Sequence, residues 1–235
     1  MKILIAIMLA ALAAGATATA QENRRIKLRA LCFQHVNEIK KLHVVGPDGT
    51  AAELELFTTV ISDEVEVTAA GGKLAFAVAG DKEGTYRAIA SAKALSGPRQ
   101  LAVFIPGEPG REQDAPYRCF LIDDSLANFP MGSTMAVNLS PVAFRFTIGE
   151  HVKAVQPGKI EPIPMARKTN DRGQVSVVIA VADAQAEDGW RAVNQTRWFT
   201  GTDKRDLAIG YIHPHTKQPT VKCYADTPPW AAPGG

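Results

Sequence analysis

Gly84-Thr85-Tyr86-Arg87-Ala88-Ile89 returns along the chain as Asp188-Gly189-Trp190-Arg191-Ala192-Val193, and Arg118-Cys119-Phe120 returns as Lys222-Cys223-Tyr224. Both pairs share one displacement of 104 positions, from 86 to 190 and from 119 to 223. Self-similarity at a fixed spacing marks one structural unit repeated in tandem. Two like domains of about 100 residues are therefore expected, each large enough to bury a core without metal or cross-links.

Around these motifs, short runs with period-two alternation recur between Gly, Pro and Asp. In the first unit they are expected near Ile26–Phe33, Leu42–Val45, Ala52–Leu56, Glu64–Thr68, Leu74–Ala79, Tyr86–Ala90, Leu101–Ile105 and Tyr117–Ile122. The second unit gives Thr134–Leu139, Ala143–Ile148, His151–Val155, Ile160–Ile163, Val175–Val181, Trp190–Thr196, Leu207–Ile212 and Thr220–Tyr224. Ala88 to Leu95 is helical by composition, but its copy, Ala192 to Phe199, is rich in β-formers and argues for strand. The spacing predicts an all-β protein of two tandem, internally duplicated immunoglobulin-like β-sandwich domains. They occupy 21–123 and 134–226. Residues 124–133 form a linker too apolar for a free tether, with Phe129 tucked against one sandwich. The tail, 227–235, is Pro- and Gly-rich and expected to be disordered, with Trp230 able to pack back.

The first twenty residues read as a signal peptide. Lys2 is the positive start, Ile3 to Ala14 the apolar run, and Ala16-Thr17-Ala18-Thr19-Ala20 the small-residue end, with cleavage after Ala20. A periplasmic or secreted protein is expected, with no transmembrane segment once the leader is removed. The 26 basic and 24 acidic residues nearly balance, which argues against a nucleic-acid or polyanion surface as the main business of the protein. Cys119 and Cys223 hold equivalent positions in the two copies and cannot pair. Alternation points Cys119 and Cys223 inward as buried free thiols and Cys32 outward, leaving a Cys32–Cys119 disulfide disfavoured but open.

The run Asp123-Asp124-Ser125, Phe129-Pro130, Gly132-Ser133, followed by Asn138-Leu139-Ser140-Pro141 and Pro157-Gly158, resembles tandem sandwich domains of exported bacterial proteins of unassigned function. The resemblance covers mainly residues 119 to 165. It implies a fold and an envelope location, and no chemistry.

Candidate sites are few. His213 and His215 project from one face of an extended segment and are weak metal ligands without a third partner. Paired acids Asp63-Glu64, Asp123-Asp124 and Glu187-Asp188 lie at turns and read as solvated. There is no Gly-x-Ser-x-Gly elbow, and no catalytic residue or cofactor is expected, although a hydrolase built on distant residues stays open. Trp198 and Phe199 face opposite sides of a strand. An exposed Trp198 flanked by Arg197 is the expected contact with a partner. The reading is a non-catalytic exported envelope protein with a structural or binding role, its partner a protein or glycan of the envelope. The alternatives are a periplasmic chaperone or assembly factor, or a hydrolase or metal protein using His213 and His215.

Overall fold

The structure is a computed structural model and describes residues 23–108, 110 and 113–231. The expected signal peptide lies outside the described residues, as does the end of the tail, 232–235.

A strand falls on each expected run. The first unit holds β1 (Arg24–Cys32), β2 (Lys41–Val45), β3 (Ala51–Glu55), β4 (Val65–Ala69), β5 (Lys73–Ala79), β6 (Tyr86–Lys93), β7 (Arg99–Pro106) and β8 (Tyr117–Asp123). The second holds β9 (Thr134–Asn138), β10 (Phe144–Ile148), β11 (His151–Val155), β12 (Ile160–Ile163), β13 (Gln174–Ala182), β14 (Trp190–Phe199), β15 (Arg205–Ile212) and β16 (Pro219–Asp226). Four four-stranded sheets result, ordered β4-β1-β7-β8, β3-β2-β5-β6, β12-β9-β15-β16 and β11-β10-β13-β14. The second pair of sheets repeats the first strand for strand. Even the exceptions repeat: β1 with β7 and β9 with β15 are parallel, and the other pairings are antiparallel.

The repeated motifs have physical reasons. Ala77 pairs with Ala88 and Phe76 with Ala90, so Ile89 is the extra residue of a bulge. Ala180 pairs with Ala192 and Ile179 with Asn194, so Val193 is its counterpart. A bulge re-aims a side chain within a strand. It turns Ile89 into the first core, although most of β6 is exposed. Val193 likewise packs on the second core. In the other motif, Cys119 packs on the first core, while the aromatics Phe120 and Tyr224 face a different one.

That third core lies between the sheet pairs. Leu28, Ala30, Cys32, Ala102 and Phe104 fill the first unit, and Ala136 and Ala208 join the filling of the second. The alternate residues of the same strands, Leu31, Leu101, Val103 and Ile105 with Met135, Val137, Leu207 and Ile209, form one shared cluster around Phe129. Sheets β4-β1-β7-β8 and β12-β9-β15-β16 are thus inner layers, covered on both faces, with β3-β2-β5-β6 and β11-β10-β13-β14 outside them. Full burial of such a side chain contributes about 1.5–3 kcal/mol, so this seam outweighs any tether. Phe129 does not lean on one sandwich; it is buried in the seam that both share.

Burial on both faces also corrects the cysteines. Cys32 is fully buried in the first core rather than facing outward, because its apolar neighbours belong to the seam. All three cysteines are free. Cys32 lies beside Phe104 and Phe104 beside Cys119, so two strand spacings, about 10 Å, separate their backbone positions and no disulfide can close. Cys223 is exposed, not buried: it sits on the edge strand β16, beside the buried Ala208. The start of the tail is ordered, with Pro229–Ala231 in a 3-10 turn that seats Trp230 between the guanidinium groups of Arg29 and Arg99.

Candidate functional site

The two ends of the seam differ in chemistry. At one end, Arg29 from the middle of β1 and Arg205 opening β15 meet Asp124, just past β8, and Asp226, the last residue of β16. Arg29 donates from Nε and Nη2 to Asp124 at 2.9 and 3.0 Å, and from Nη1 and Nη2 to Asp226 at 2.7 Å each. Arg205 Nε donates to Asp226 at 2.8 Å, its Nη2 to Asp124, and its Nη1 to the carbonyl of Phe129 at 2.7 Å. Its guanidinium also lies 4.1 Å from the Phe129 ring centroid. All four side chains are at most 3 % exposed.

Two cations and two anions cancel, so this is a neutral pin. Burial opposes the charge on Arg29, but hydrogen bonds and attraction from Asp226 and Asp124 outweigh it and push the group up. Burial likewise opposes ionisation of Asp226, and both arginines overcome it and hold the carboxyl below its ordinary value. At Asp124 burial wins over Arg29 and Arg205, and its carboxyl is pushed up. Asp124 is therefore not the solvated turn acid the sequence suggested. Asp123 is occupied as well, accepting from Ser125 N at 3.0 Å and Asn128 Nδ2 at 2.9 Å.

The other end of the seam opens to solvent as a cleft of about 280 Å³, lined by Phe33, Gln34, Tyr211, His213, Pro214, His215 and Lys222. The alternation that points Tyr224 into the seam also brings Lys222, two residues earlier on β16, to its mouth. Lys222 Nζ donates to the carbonyls of Thr58 at 2.9 Å and Phe33 at 3.4 Å. It lies 5.1 Å from the Tyr224 ring centroid and 5.4 Å from that of Phe33. Burial pulls its ammonium below the usual lysine range. Among the described residues no carboxylate pairs with it. The Tyr224 hydroxyl is buried with no hydrogen-bond partner among the described residues. Phe33 and Tyr211 meet edge to face at 4.6 Å, and the Tyr211, His213 and His215 rings follow at 6.4 and 5.8 Å. Across Thr58 a second groove of about 460 Å³ runs past His35, Lys40, Lys41, Glu55 and Phe57. Its lysines face Glu38, Glu53 and Glu55.

The sequence-derived candidates fall in different places. His213 and His215 do sit together, on the β15–β16 hairpin. His213 Nδ1 accepts from the backbone N–H of His215 at 3.3 Å and of Thr216 at 3.2 Å, which shapes the tip. Among the described residues no group of three His, Cys, Asp or Glu side chains is placed to hold a metal. Arg197 is exposed on β14. Trp198 is only half-exposed, since it packs on the second core opposite Val175, and its neighbour Phe199 is the open one, 62 % exposed. In the sequence Lys222 stands out only as part of the repeated Lys222-Cys223-Tyr224 motif; the parity of Tyr224 is the signal that places it. Among the described residues no helix is long and apolar enough to cross a membrane. No protein-family model matches the chain, and no curated protein sequence matches it.

Proposed function

We propose that the chain is a non-catalytic, exported binding module of the bacterial envelope. Its two immunoglobulin-like sandwiches are fused back to back, and its partner is a protein or a glycan. The observation that carries this reading is the seam. A shared apolar core packs both sheet pairs against each other, which sets the spacing between the β14 edge and the seam mouth. Rigid scaffolds that display edges and loops are the usual platform for recognition. β14 supports it further: ten residues on a sheet edge, exposed along most of its length, with Arg197 and Phe199 at its end. The leader-like residues 1–20 and the resemblance across 119–165 support the envelope assignment.

The assembly-factor reading calls for an open cleft between domains and a hydrophobic free edge. The space between the sheet pairs is packed with Leu31, Val103, Leu207 and Ile209, and the open positions of β14 are mainly polar. Among the described residues no third His, Cys, Asp or Glu joins the His213–His215 pair to hold a metal.

The test is a pull-down from envelope extracts with the immobilised chain from Gln21 onward, alongside the double variant Arg197→Glu/Phe199→Ser. A specifically retained partner, lost or weakened in the variant, supports the reading. Absence of any retained protein or glycan, or turnover of an envelope substrate by the chain, contradicts it.

A further inference from the structure

We propose that the cleft at the seam mouth binds an acidic sugar residue of a longer glycan. The sugar carboxylate lies on the Lys222 ammonium, and its ring lies against Tyr211 and the His213-Pro214-His215 tip. This rests on the binding reading above and gives it a ligand class.

The cation comes first. Among the described residues Lys222 has no carboxylate partner, and two backbone carbonyls fix where its ammonium sits. An ammonium has three N–H donors, so one remains for a ligand once Phe33 and Thr58 are served. A hydrogen bond between ionised partners is about twice as strong as one between neutral groups. A carboxylate docked here also restores the charge that burial disfavours.

The walls give the second argument. Phe33, Tyr211, His213 and His215 offer flat ring surfaces, whose electron-rich faces suit the C–H edges of a pyranose. Gln34 and the Tyr211 hydroxyl add hydrogen-bonding groups that suit sugar hydroxyls. A bare carboxylate, such as a peptide terminus, needs the lysine but not the rings.

The third argument is shape. Sites for small cofactors bury about 70–90 % of their ligand, whereas this cleft is open at its rim, and a second groove begins beyond Thr58. That form suits one residue of a chain whose neighbours continue over the surface.

The test is calorimetric titration of the chain from Gln21 onward with trigalacturonate, the neutral trigalactoside and an N-acetylated tripeptide with a free C-terminus. The expected result is saturable binding of trigalacturonate, with affinity about ten-fold or more above either other probe. Lys222→Gln lowers that affinity by about ten-fold or more. His215→Ala, at the exposed tip, lowers it by about three-fold and reports on the cleft even where the Lys222 variant does not fold. The proposal is overturned if trigalacturonate fails to saturate up to about 10 mM, far weaker than useful recognition. Equal binding of the trigalactoside, tighter binding of the tripeptide, or unchanged affinity in a folded Lys222→Gln also overturns it. Each of those failures leaves partner capture through the β14 edge intact, so the two readings stand or fall separately.

Discussion

Arg29 and Asp226 lie 197 positions apart in the chain and meet at 2.7 Å in the buried pin. No local pattern announces such a pair, and Arg205 stands at a position where the first unit has Leu101, so the repeat hides it as well. Breaking a buried ion pair from one side leaves an uncompensated charge and costs about 3–5 kcal/mol. Asp226→Asn leaves two guanidiniums facing one carboxylate, and urea unfolding is expected to show a loss of that size. The neighbouring Trp198 and Phe199 give a paired prediction. Trp198→Ala removes packing from the second core and is expected to cost about 1–3 kcal/mol, since the ring is only partly buried, whereas Phe199→Ser changes stability by about 0.5 kcal/mol or less. Thermal midpoints of the two variants settle which side of β14 is inward. The sequence could show that the two rings face opposite ways, but not which one the core claims.

At the scale of elements, most of the fold was legible. Each expected run became a strand because alternation and turn residues act locally. What alternation could not show was the facing of β1, β7, β9 and β15. Cys32, Leu31 and Ala30 are all buried, to two different sides, so an apolar neighbour carries no information about direction. That is why alternation alone places Cys32 on the wrong face. The turn between β10 and β11 carries a pH prediction. Glu150 accepts from the backbone N–H of Arg167 at 2.8 Å and of Lys168 at 3.2 Å, tying the segment after β12 to this turn. Those backbone hydrogen bonds, with a smaller contribution from His151, hold its carboxyl at about 2. A depressed carboxyl stabilises the fold fully above its ordinary value of about 4.3. That contribution disappears as pH falls toward the folded value. Glu150→Gln is therefore expected to be less stable than the parent at pH 6, with the gap closing as pH approaches 2. A gap that stays constant across that range would contradict it.

For the whole molecule, the repeat predicted two like units, and the strand order repeats in full. The candidate site was harder to read, since it is made where the units meet. Phe33 comes from the first and Tyr211, His213 and Lys222 from the second. Residues so far apart converge only because inner strands of both units face one another across Leu31, Val103, Leu207 and Ile209. No periodicity within either unit encodes that meeting. Two sandwiches that share an apolar face and a buried ionic pin should lose their structure together, because neither can keep its inner sheet covered alone. Differential scanning calorimetry of the chain from Gln21 onward tests this directly. A single transition is predicted, with calorimetric and van't Hoff enthalpies equal. Two resolved transitions, one per sheet pair, would contradict the shared core.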